Sequence, residues 1–274
     1  MVRLGPVWER RRRELEDRPD RLRAPGAGRP PTPLWVQLMA TMTMWRQNLT
    51  VRAAGEMFGV HERTIRRWRD STEDVLLAHG FQPPGVAAPI RNVEDLVAYV
   101  EAEGVERVAV DGTEVRRNSP VDYQAQRAAY SGKTKDHVVK ASVIADPSRR
   151  PLWFAANPSG EGRTHDITML RAQTELLATL GLITAAGVWV LGDKAYQSLT
   201  NDIGLLAVVG SAKPRGRERS MENRLYNRVL SSMRMPVEHA IGRLKWWKAM
   251  HYWRRPADRF DHSGRAIAIL TSLI

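Results

Sequence analysis

The chain has 274 residues, 43% of them hydrophobic, which is enough to bury a sizeable core in one large domain, or in a large domain with a smaller companion. Its 42 Lys and Arg against 30 Asp and Glu leave a formal charge of +12, which favours a polyanionic partner such as nucleic acid, or else reflects an arginine-rich proteome. With no cysteine, disulfides and thiolate metal sites are excluded, so any metal must sit on carboxylates or histidines.

The first residues, MVRLGPVWERRRREL, are charged at once, without the apolar core of a signal peptide. No apolar run reaches membrane-spanning length, so a soluble, intracellular protein without membrane contact is expected. Residues 1–33 read as a basic arm: WERRRRELEDR suits a short helix and RAPGAGRPPTP a linker. This arm suits DNA phosphates and a solvated tail equally.

Residues 34–80 read as helical. Within them, LTVRAAGEMFGVHERTIRRWRD has the pattern of a helix-turn-helix. Ala53, Ala54, Met57 and Phe58 would pack a first helix, Gly59 would sit at the turn and Val60 would plug the angle. A second helix from His61 to Arg69 would bury Ile65 and Trp68 and show Arg63, Thr64, Arg66, Arg67 and Arg69 on its other face. Such a helix fits the major groove, with Arg reading guanine edges or holding phosphates. An ordinary helical hairpin with a solvated face gives the same pattern, but so many arginines favour DNA. Residues 81–104 follow as a Pro/Gly-rich joint, FQPPGVAAP, and a short connecting helix.

Residues 105–274 change texture to α/β. Buried strands are expected in VERVAVDGTEVRR, HVVKASVIAD, PLWFAANPSG, VWVLGDKAY and LLAVVGSAKP, with ADPSRRP as a hairpin turn. HDITMLRAQTELLATLGL reads as a helix ending at Gly187, and residues 221–250 as helical, interrupted at Pro236. That order predicts a mixed five-stranded sheet flanked by helices rather than a strict βαβ repeat.

Three carboxylates stand out. Asp111 and Asp193 each follow an apolar run beside a glycine, as expected at the end of a core strand facing the sheet edge. Each alone is more often a turn residue. Glu238 lies just after Pro236, which suits a first helical turn, and alone it reads as a solvated helix residue. Together, in a chain suited to DNA, the three can bind two hard divalent ions, which can activate an attacking oxygen and stabilise a leaving one in phosphoryl transfer. They lie 82 and 45 residues apart, so the fold must gather them.

The blocks VAVDGTEV, YSGKTKDHVVKASVIAD, EGRTHDITML, VLGDKAYQ and MPVEHAIGRLK resemble those of DDE-superfamily insertion-sequence transposases, in the branch shared by bacterial insertion-sequence-five and eukaryotic Harbinger-type elements. The resemblance spans residues 34–274. It implies a ribonuclease H-like core behind a small all-α helix-turn-helix domain, with Asp111, Asp193 and Glu238 as the acidic triad holding Mg²⁺ or Mn²⁺. It also implies DNA partners, namely terminal inverted repeats and target DNA, with a homo-oligomer in the synaptic complex, in the bacterial cytoplasm and nucleoid. The signature Tyr-x2-Arg-x3-Glu-x6-Lys is met by Arg234, Glu238 and Lys245, while Ser231 stands where Tyr is expected. On a continuous helix those three share a face toward the DNA backbone. The His165-Asp166 pair matches a pair treated in the family as accessory.

Residues 211–255 hold twelve Lys and Arg against three Asp and Glu. Their Trp246, Trp247 and Trp253 suit either strand binding or the core, with core favoured for Trp247 and Lys245 and Lys248 left outside. Lys133, Lys135 and His137 are expected to line a DNA channel. A regulator descended from a transposase and no longer active is the alternative, and a nuclease that cuts without joining a third reading. The closing AIAILTSLI is apolar with no capping signal, as in a tightly packed last helix or a truncated one.

Overall fold

The computed structural model describes residues 4–16, 32–212 and 218–274. The linker expected in residues 17–31 and the start of KPRGRERS, residues 213–217, lie outside the described residues.

Five helices come first: α1 (Gly5–Glu16), α2 (Leu34–Gln47), α3 (Val51–Phe58), α4 (Glu62–His79) and α5 (Val93–Ala102). The sheet region follows as β1 (Arg107–Arg117), α6 (Tyr123–Ala129), β2 (Tyr130–Ser131), β3 (Asp136–Ala145) and β4 (Pro151–Ala156). The chain then runs through α7 (Asp166–Ala172), α8 (Thr174–Ala185), β5 (Trp189–Gly192), α9 (Leu199–Ile203) and β6 (Ala207–Val209). It closes with α10 (Met221–Lys245), β7 (Tyr252–Trp253) and α11 (Phe260–Leu273). Among the described residues no helix is long and apolar enough to cross a membrane.

All five expected strands form, and two-residue β2 and β7 join them. The sheet runs β2-β3-β1-β5-β6, with β4 also on β3 and β7 also on β1. β3 is antiparallel to β1 and β4, whereas β5 is parallel to β1 and to β6. β5 accompanies β1 only over Arg107–Ala109, and β7 meets it only at Arg116 and Arg117. Between those contacts this edge of β1 is open. Asp111 lies there, inside β1 rather than at the strand end expected from its glycine neighbour.

Two helix expectations need correction. The single helix after His165 is two, α7 and α8, parted at Gln173, whose amide binds the carbonyls of Ala155 and Ala156 and accepts from Ser142. Conversely, Pro236 neither starts nor interrupts a helix, because α10 runs through it unbroken. A proline there removes one helical hydrogen bond. The stripe of Leu230, Arg234, Val237, Ala240 and Leu244, buried on both sides of it, holds the helix on the sheet.

The helical region is not free of the sheet. Leu38, Met44, Trp68 and Leu76 belong to the same hydrophobic cluster as β1, β3 and α11. The joint at 81–89 is pinned as well: Phe81 and Ile90 are buried, bridge each other through paired backbone bonds, and Phe81 stacks on Trp153. Trp247 and Trp253 are core and Trp246 is exposed, and α11 packs tightly against β4 and α4.

Candidate active site

The β1–β5 register places two of the acidic residues side by side. Asp111 and Asp193 each lie two residues beyond the paired Ala109 and Leu191, on strands running the same way. Neighbouring strands are about 5 Å apart, so the two carboxylates start level at the point where β5 ends and β1 continues. Crevices at the carboxyl ends of parallel strands are where ligands bind in open α/β sheets.

Asp193 is held by its own turn, its Oδ1 accepting from the Ala195 N–H at 2.7 Å. Asp111 Oδ1 accepts from Gly112 N–H at 2.8 Å, and Oδ2 from Arg234 Nη2 at 3.0 Å. Arg234 is therefore buried against the site rather than facing the DNA backbone, because unbroken α10 carries it over the sheet. Lys245, expected outside, is half-buried and donates to the Glu114 carbonyl of β1. Burial lowers the Lys245 ammonium to about 8, against the pull of Glu114.

Asp166 belongs to this cluster. His165 takes the N-cap position of α7, exposed and without a side-chain cap, while Asp166 turns inward. Lys140 Nζ meets Asp166 Oδ1 at 2.7 Å, donates to the Thr164 carbonyl at 2.7 Å and lies 3.6 Å from Glu114 Oε1. Lys140 was not singled out from the sequence. The usable signal was a lone cation inside the apolar run HVVKASVIAD, since a buried charge needs partners. Tyr196 was missed as well: it is fully buried and its hydroxyl has no partner among the described residues.

Glu238 is exposed on α10, one turn beyond Arg234. Among the described residues no three His, Asp or Glu stand gathered as a ready metal cage. The donor chemistry nevertheless fits a hard cation. Burial pushes the Asp111 carboxyl up to about 6; Arg234 pulls it down, and Asp193 and Asp166 push it up again. Carboxylate charge thus remains under-compensated despite Arg234, and the donors are all oxygens.

This gives a stability prediction. The folded state favours protonated Asp111, so its ionisation destabilises the fold increasingly as pH rises from about 4 through about 6, by on the order of 2–3 kcal/mol. Metal-free Asp111→Asn is expected to melt several degrees higher than wild type at pH 7.5, the difference shrinking toward pH 4. Thermal unfolding in chelator checks it, and equal melting temperatures at pH 7.5 contradict it.

The other predicted residues divide by geometry. In α3 and α4, Gly59 adopts φ +63 at the turn, and Ile65 and Trp68 are buried as expected. Gly55 is an unforeseen contact: a Cβ there would lie 2.7 Å from the Val60 carbonyl. Met57, expected to pack, is 64% exposed. Arg63 and Arg67 are exposed, Thr64 is half-buried, and Arg66 pairs with Glu62 at 3.1 Å. Arg69 does not share their face: its side chain is 11% exposed, bound to Asp70 at 2.8 Å and 3.9 Å from Glu73. Lys133 and Lys135 are exposed in the turn between β2 and β3, away from Lys140.

Comparison with known proteins bears on the family of the chain rather than on single residues. Residues 110–273 match the family model described as DDE superfamily endonuclease. A protein of Microchaete diplosiphon described as "Probable transposase for insertion sequence element IS702" is 26% identical over 236 residues, covering 85% of this chain and 77% of that protein. No solved structure matches.

Proposed function

The chain belongs to the DDE superfamily endonucleases, and from that premise we propose that it is the transposase of a bacterial insertion sequence, binding element ends and cutting and joining DNA strands. The observation that carries this reading is the level pair Asp111 and Asp193 at the open edge of β1, in a chain of charge +12. The strand order and directions suit a ribonuclease H-like core.

Asp111, Asp193 and Glu238 would hold two Mg²⁺ or Mn²⁺ ions, which supply activation of the attacking oxygen and stabilisation of the leaving one. Arg234 orients Asp111, the Ala195 N–H orients Asp193, and Lys245 ties α10 to β1 beside them. The second helix, α4, offers Arg63, Thr64, Arg66 and Arg67 to the major groove, and Lys133 and Lys135 hold backbone phosphates. Two copies act together, one on each end. The protein works in the cytoplasm, at the nucleoid.

The test uses duplexes carrying the terminal repeats that flank the gene, with magnesium and an unlabelled target. Cleavage at the repeat followed by strand joining is expected. Cleavage without joining favours a nuclease, and tight binding with neither favours a regulator. Affinity for the ends is expected to fall about 10³-fold or more between 50 and 200 mM salt, as several phosphate contacts require. A flat salt response in a filter-binding titration contradicts the basic surfaces as DNA contacts.

A further inference from the structure

A groove of about 460 Å³ lies between the helical region and the chain that follows α10. One wall comes from residues 44–51 with Arg66 and Arg69 of α4, and the other from residues 249–259. The walls are pinned to each other. Asn48, held at φ +54 after α2, donates through Nδ2 to the Tyr252 carbonyl of β7 at 2.9 Å, and Arg255 Nη1 meets Glu73 of α4 at 2.5 Å. The groove is therefore shaped before any ligand enters, which lowers the ordering cost of binding.

Its rim is cationic and its floor apolar. Five arginines border it, and they are not committed equally. Arg69 and Arg255 are held by Asp70 and Glu73. Arg66 has Glu62, in an exposed pair of the kind that contributes little in water. Arg254 and Arg259 are exposed, and among the described residues no carboxylate pairs with either; Arg254 stands over the Tyr252 ring at 5.7 Å from its centre. Beneath them lie Met44, Leu49 and Trp253, the first and last buried. Guanidinium groups bind phosphate through paired donors, and an apolar floor beside them suits the sugar faces between phosphates.

We propose that this groove seats a stretch of DNA backbone, with phosphates on Arg254 and Arg259 and deoxyribose faces against the floor. In β7, Trp253 pairs with Arg117, which lies about 20 Å farther along β1 than Asp111 by strand rise. A duplex covers that span in about six base pairs, so one DNA molecule reaches the groove and the acidic edge together. The proposal rests on the reading that the chain binds element ends. It adds a contact surface in residues 254–259, outside α4 and the turn between β2 and β3. Because the two walls belong to the helical region and to the chain after α10, a single stretch of backbone touches both.

The experiment is a fluorescence-anisotropy titration of the full chain with a duplex carrying the terminal repeat, over a salt series. Arg254→Gln and Arg259→Gln are each expected to weaken binding about threefold or more and the double variant about tenfold or more, with the slope of log affinity on log salt reduced by about two. Arg149→Gln removes the same charge from the exposed turn between β3 and β4, at the opposite end of the sheet, and is expected to stay within about twofold of wild type. Duplexes with single phosphates replaced by neutral methylphosphonates locate the contact. At one position or more the wild type is expected to lose about threefold, and the double variant to lose nothing further. If the double variant matches Arg149→Gln in affinity and slope, or loses as much as wild type at every methylphosphonate, this proposal fails and the DNA reading stands. If the wild type shows no salt-dependent binding to DNA, that reading fails and this proposal with it. Should Arg259→Gln disturb the start of α11, Arg254→Gln decides alone, by a slope change of about one.

Discussion

Asp193→Asn is expected to lower strand cleavage at an element end by about 10³-fold or more while leaving DNA affinity equal to or above that of wild type. Asn keeps the size and can still accept from the Ala195 N–H that shapes the turn after β5, so the fold should survive. What disappears is one of two level negative charges at the open edge of β1. A carboxylate beside a phosphate backbone repels it, so a protein that only bound DNA would gain from the loss. Single-turnover cleavage beside a binding titration separates the effects. Parallel loss of binding and cleavage would mean that Asp193 supports the fold rather than the chemistry.

The second large effect concerns how the helices that carry Arg63 and Arg67 are fixed to the sheet region. Glu73 of α4 is 1% exposed, and its carboxylate meets Arg255 Nη1 at 2.5 Å. Arg255 also donates to Ser263 of α11 and lies 3.8 Å from Asp70, while His262 stands 3.8 Å from Glu73. Arg255→Met is expected to destabilise the protein by about 3–5 kcal/mol, because it leaves a buried charge without its main partner. Glu73→Leu combined with Arg255→Met should recover most of that loss, since two apolar groups need no counter-charge. Urea unfolding measures both. A single variant within about 1 kcal/mol of wild type would show that Arg69 and His262 already satisfy Glu73.

Much of the sheet was legible because strands buried on both faces are apolar runs, as in HVVKASVIAD and PLWFAANPSG. Tertiary contacts hid the rest. Two-residue β2 and β7 carry no periodicity, and the break at Gln173 exists because its amide serves carbonyls on β4. Pro236 and Gly112 misled for opposite reasons: each reads as punctuation, yet the first sits inside a helix held by burial and the second inside a strand that yields to Asp166. Of the site, Asp111 and Asp193 were readable from their strand-and-glycine settings. The inward turn of Asp166 and the burial of Lys140 and Tyr196 depend on packing between elements far apart in the chain.

The most direct test of the central claim replaces one non-bridging oxygen of the scissile phosphate by sulfur, in each diastereomer separately. Sulfur is a softer ligand than magnesium accepts well and is tolerated better by manganese. If a cation held by Asp111 and Asp193 contacts that oxygen, cleavage of one diastereomer should slow at least tenfold in Mg²⁺ and recover in Mn²⁺. An equal sulfur effect with both ions, for both diastereomers, would contradict a metal contact with the phosphate being cut.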